Sequence, residues 1–126
     1  MRFVLEVDHE PSALHPARAA LDDWCASEDA DADSAVIIAN ELLANAIRHG
    51  SGPILLRASA TAQWLSVNVQ QQGKVQLAVP THDSSSPLQV SGRGLQMVDA
   101  VAESWGWSIT ATATLVWARL SRTPAS

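Results

Sequence analysis

The 126-residue chain is poor in the residues that announce a disulfide framework, a metal cluster or a nucleic-acid surface. Its single cysteine, Cys25, can form no internal disulfide, which fits a reducing, cytoplasmic setting. Basic side chains number 8 against 13 acidic ones, for a formal net charge of −5. No direct nucleic-acid contact is expected, because neutralising phosphates calls for a clustered basic face. No apolar run approaches the roughly 18–20 residues of a membrane span, so no membrane contact is expected. Glu6 interrupts the N-terminal apolar stretch too early for a signal-peptide core. Tyrosine is absent, and the 5 tryptophans are expected in core and hairpin packing rather than on a base-stacking platform. His9, His15 and His82 fall in or beside turns without partners at ligand spacing, which excludes a zinc site. What remains is 47% hydrophobic and 17% charged, the composition of a folded chain and not of a disordered one. The length suits one domain over residues 1–126, large enough to bury roughly two-thirds of its unfolded surface.

The pattern along the chain predicts the order β-α-α-β-β-loop-α-β-β. A strand over Arg2 to Val7 leads into a turn at Asp8-His9-Glu10-Pro11. Leu14, Ala17, Leu21 and Trp24 then recur at helical spacing, with Pro16 tolerated only in a first turn, so a helix starts near His15. Acidic residues from Glu28 to Asp33 read as a solvated connector that favours the next helix N-terminus. That helix runs from about Asp33 to His49, with Gly50 as its cap and His49 near its terminal carbonyls. Strands over Ile54 to Ala60 and Trp64 to Gln70 follow, then a lid-like loop over 72–91 that is long for a compact domain. A helix opens at Gly92 and passes through Leu95, Val98 and Val101, and two strands carrying Trp105, Trp107 and Trp117 close the chain. Helices in series and hairpin-joined strands point to a mixed, mostly antiparallel sheet with helices on one face.

Three clusters could carry chemistry. Glu41 and Asn45 lie one turn apart on a helix face that also holds Ile37 and Ile38, which is unusual for a solvated stripe. A carboxylate there can take a hydroxyl proton, and an amide oxygen is a hard ligand suited to Mg2+. An ordinary polar helix surface is the competing reading. Gly92-Arg93-Gly94-Leu95 stands just before a helix, where backbone N–H groups can meet an anion. It is neither a P-loop nor a dinucleotide fingerprint, and a flexible turn is its plain alternative. Gln71-Gln72-Gly73 ends a strand, and Gly73 permits close approach of a flat ligand, although taken alone a first turn residue after the strand is the better reading.

Together these segments resemble the GHKL ATPases. Asn40-Glu41-Leu42-Leu43-Ala44-Asn45-Ala46-Ile47-Arg48-His49-Gly50 is similar to their N box, and Ser91-Gly92-Arg93-Gly94-Leu95 with Val98-Asp99 is similar to a second glycine box. The match is best to the small bacterial anti-sigma-factor serine kinases and covers nearly the whole chain. The resemblance implies a two-layer α/β sandwich of the Bergerat type that binds ATP or ADP with Mg2+. It implies that Asn45 ligates Mg2+ and that Glu41 is the general base for phosphoryl transfer to a serine or threonine of an antagonist protein. Gly92 and Gly94 would meet the phosphates, with Arg93 and Leu95 beside them in the binding set. The implied partners are a sigma factor and the antagonist, and pairing into a homodimer is common among such proteins.

One stretch departs from the family. Where the first glycine box carries an aspartate for the adenine amino group, followed by two glycines, this chain reads Gln71-Gln72-Gly73-Lys74-Val75. A neutral acceptor contributes about 0.5–1.5 kcal/mol where a charged one contributes about 1.5–3. The difference implies nucleotide binding weaker by about five- to thirty-fold. Two readings stand side by side: an active kinase that sequesters a sigma factor, and a degenerate domain that regulates by protein binding with little or no ATP.

Overall fold

The computed structural model describes residues 2–49, 52–72, 93–110 and 112–122. Strand β1 (Arg2–Val7) leads through a 3-10 turn (Pro11–Ala13) into helix α1 (Leu14–Ser27), and α2 (Ala32–His49) follows. Then come β2 (Ile54–Ala60), β3 (Trp64–Gln72), helix α3 (Arg93–Val101), β4 (Ser104–Ile109) and β5 (Ala113–Ser121). The strands form one sheet in the order β1-β2-β3-β5-β4, and all of its pairings are antiparallel. The mixed sheet allowed by the sequence is therefore antiparallel throughout the described strands. The strand expected to end at Gln70 continues through Gln72, so Gln71 and Gln72 pair within β3 rather than opening the loop. Gly50, Gly73, Gly92 and the remainder of the loop lie outside the described residues.

Alternation along the strands sorts the sheet into two faces. Ile54, Leu56, Ala58 and Ala60 of β2, Leu65, Val67 and Val69 of β3, and Val116 and Ala118 of β5 are all buried against the helices. Burying a side chain of this kind contributes about 1.5–3 kcal/mol. Helix α2 packs on α1, α3 and the sheet together. That three-sided contact explains why Ile38 is fully buried beside Ala35, Ala39, Leu42, Leu43 and Ala46, where the sequence alone set it on the far face. Leu21 and Cys25 of α1 and Val98 of α3 complete the same core.

Local chemistry fixes the helix ends. Asp31 caps α2: Ser34 donates its backbone N–H to Asp31 Oδ1 at 3.1 Å and its hydroxyl to Oδ2 at 2.7 Å. Helix α1 ends on Asp29, whose φ of 52° is left-handed, a conformation that costs a non-glycine residue energy. Ala30 N–H bonds the Cys25 carbonyl at 2.9 Å and closes the turn. Arg122, just past β5, then donates to the carbonyls of Glu28 at 3.1 Å, Asp29 at 3.0 Å and Thr61.

Candidate functional site

Register builds the site from the sheet upward. One row across the inner face reads Val7, Ile54, Gln71 and Thr114. The next reads Leu5, Leu56, Val69 and Val116. Gln71 and Thr114 are thus side-by-side polar residues at one end of a hydrocarbon face, 5% and 6% exposed. The Thr114 hydroxyl is shut off from water with no hydrogen-bond partner among the described residues. Leaving such a group unpaired costs about 1–3 kcal/mol.

The C-terminal part of α2 is tied to the end of β1, the strand that begins this row. His9, two residues beyond Val7, reaches the Ala46 carbonyl with its Nε2 at 3.2 Å. Ala46 holds one of the last four carbonyls of α2, which have no partner within the helix. The contact secures the turn that carries Asn45. From α1, Arg18 donates through Nη1 to Asn40 Oδ1 at 2.9 Å and fixes the helix beside Glu41. Glu41 and Asn45 themselves are half-buried, on a flank of α2 that borders the fully buried Ile38 and Leu42. Ile37 on that side is half-buried as well. This stripe is therefore not a fully solvated surface. No hydrogen bond or ion pair holds either functional group among the described residues.

Arg93, Gly94 and Leu95 form the first turn of α3. Two contacts set that helix: Val98 is buried in the core, and Trp105 of β4 donates its indole N–H to Asp99 Oδ1 at 2.8 Å. Gly73 and Gly92 lie outside the described residues. The described candidate residues are thus Glu41 and Asn45 on an α2 flank, the first turn of α3, and the Gln71–Thr114 pair on the sheet. A groove of about 670 Å³ between α1 and α2, lined by His15, Arg18, Asp22 and Ile37 among others, holds none of the sequence-predicted site residues.

Sequence reasoning missed Thr114, His9 and Arg18. Thr114 had a readable signal, as a polar residue in phase with Val116, Ala118 and Leu120. The other two act across the fold and carry no local signature. No group of three or more histidine, cysteine or carboxylate side chains suited to a metal occurs among the described residues.

With this geometry in view, the comparisons with known proteins define the family. Residues 7–120 match the model of the histidine kinase-like ATPase domain, and the chain belongs to that family. Its fold is similar to that of a protein described as the RsbU and RsbW domains of Rv1364c from Mycobacterium tuberculosis, with a TM-score of 0.72 and 20% sequence identity. The alignment covers 98% of this chain and 34% of that one, so the chain spans about a third of its relative's length. No curated protein matches the chain. The GHKL resemblance and the two-layer α/β fold it implied are thereby borne out, with the sheet antiparallel throughout the described strands. No described helix is long and apolar enough to cross a membrane.

Proposed function

We propose that this chain is an ATP-binding, anti-sigma type regulator that phosphorylates a serine or threonine of an antagonist protein and controls transcription by sequestering a sigma factor. The observation that carries the nucleotide site is the buried polar pair Gln71 and Thr114 on the helix-covered face of the sheet. A hydroxyl without a partner and an amide on one sheet row fit the donor and acceptor edge of a purine. Asn45, on a half-buried flank with its amide uncommitted, fits a hard divalent cation. When bound, Mg2+ would neutralise charge on the phosphates.

The residues divide the work. Asn45 would hold the metal. Gln71 and Thr114 would orient the base, and the backbone at the start of α3, from Arg93 to Leu95, would take the phosphates. Glu41, one turn before Asn45, takes the proton from the acceptor hydroxyl as its oxygen bonds to the γ-phosphorus and the bond to ADP breaks. The N box and glycine segment support the anti-sigma kinase reading, and so does a fold shared with a chain described by its RsbW domain.

The test mixes purified protein, labelled ATP and candidate antagonist proteins. Wild type should transfer phosphate to a serine or threonine, and Glu41→Gln should abolish transfer while nucleotide affinity stays within about twofold, because the amide keeps size and an acceptor but takes no proton. Transfer that survives in the variant would remove the general-base role. A second reading rests on the neutral Gln71, 5% exposed where relatives carry a carboxylate: a domain that regulates by protein binding alone. An antagonist that binds and is never phosphorylated would select it.

A further inference from the structure

The face of the sheet away from the helices is built unlike the rest of the molecule. Its central row, from β1 to β4, reads Val4, Arg57, Asn68, Trp117 and Gly106. Trp117 lies against the backbone of Gly106: a Cβ at that glycine would come within 2.8 Å of the indole Cζ2 and 3.1 Å of Cε2. The ring is therefore backed by the edge strand, while the residue remains 36% exposed. Val4, at the other end of the row, is 60% exposed. Between them Asn68 Oδ1 is buried without a hydrogen-bond partner among the described residues. A polar atom left in that state gains from any rearrangement that brings it a donor.

Charge sets this face apart. The chain carries −5 overall, and five aspartates, Asp22, Asp23, Asp29, Asp31 and Asp33, are exposed around the helices. The alternation of the strands instead sends Arg2, Arg57 and Arg119 to the helix-free face, against Glu6 alone among acids. All three arginines are exposed. The Arg119 guanidinium stacks on Trp64, 4.1 Å from the ring centroid, which holds it over the sheet. A basic, indole-bearing surface on an acidic protein complements carboxylates attached to apolar anchors.

We propose that this face is the docking surface for an acidic segment of a partner protein, whose apolar side chain stacks on Trp117 while its carboxylates meet Arg57 and Arg119. Tryptophan and arginine are the residue types that dominate binding energy at protein interfaces. A second copy docked through the same face would set arginines against arginines. A nucleic acid would have to approach a chain of net charge −5 with few cations to neutralise its phosphates. The surface is on the opposite side of the sheet from Gln71 and Thr114, so it does not depend on the nucleotide reading.

The experiment titrates the full chain with a fluorescein-labelled peptide of alternating glutamate and leucine, read by anisotropy. A peptide with lysine in place of glutamate and a labelled oligothymidylate serve as comparators. Saturable binding of the glutamate peptide is expected, weakened about tenfold by Arg57→Glu and by Trp117→Ala, and weakened by added salt. Arg57 is exposed, so Arg57→Glu should leave the fold intact, and Mg-ATP titration of the same variant should match wild type. The proposal is overturned by no saturable binding of the glutamate peptide, by binding that Arg57→Glu leaves unchanged, or by equal binding of the lysine peptide. Tighter binding of oligothymidylate would make the face a nucleic-acid surface, and concentration-dependent dimerisation lost in Arg57→Glu would make it a self-association surface. Either result replaces the acidic partner.

Discussion

At Cys25, packing and charge act in the same direction. The side chain is fully buried on α1 in contact with the core. Burial raises its pKa from 9.0 to about 11, and the negative charges of Asp22 and Asp31 add to the rise while Arg122 opposes it. Above pH 9 the unfolded chain releases the thiol proton while the fold retains it. Stability from this group is therefore complete below pH 9 and is lost as pH rises toward 11. Urea denaturation from pH 8 to 11 should show wild type losing more stability than Cys25→Ala over that window, and a thiol reagent should react at pH 8 only when urea is present. Parallel pH profiles for the two proteins would contradict the account. The same residue-level logic separates Thr114 from Gln71. The glutamine stood out beside Gly73, but only the cross-strand register shows that a threonine shares its row.

Among the elements, α2 carries most of the consequences. Its periodicity was legible because apolar residues recur over five turns, and so were its bounds within a residue. Its orientation was only partly legible. A helical wheel centres one arc, whereas α2 packs on α1, α3 and the sheet at once, which draws Ile38 into the core and leaves Glu41 and Asn45 on the border. The cap was not singled out in the sequence. Several acids stand in a row before α2, and hydrogen-bond geometry selects Asp31 rather than Asp33. Asp31→Ala should lower stability by about 1 kcal/mol, the usual cost of a lost N-cap, measurable by urea unfolding. Asp33→Ala should cost less. The reverse order would mean that Asp33 holds the helix end.

Across the whole molecule, one side chain ties together three segments distant in sequence. Arg122 follows the last strand, yet its guanidinium reaches the exit of α1 and the β2–β3 turn, bonding carbonyls more than 60 residues away in sequence. It thereby supports the left-handed Asp29, where the chain turns from α1 to α2. Arg122→Ala should cost about 1–3 kcal/mol of stability by urea titration, since carbonyls near a helix end lose charged donors. Arg122→Lys should recover only part of it, because one ammonium cannot span the carbonyls that the planar guanidinium reaches. Nothing in the local sequence announces this clamp, in contrast with the N box and the glycine segment, whose resemblance to family motifs pointed to the family before any contact was known. Motifs are local, whereas the Gln71–Thr114 pair, the His9 contact and the clamp depend on register and packing.

The central claim is that α2 and the Gln71–Thr114 row line a site for Mg-nucleotide. Calorimetric titration of Mg-ATP into wild type and Asn45→Ala tests it most directly, with circular dichroism confirming that both are folded. Wild type should bind saturably, and the variant should bind at least about tenfold more weakly, because it loses a hard oxygen ligand for the metal. Equal affinity in the two proteins, or no binding by folded wild type, would contradict the claim.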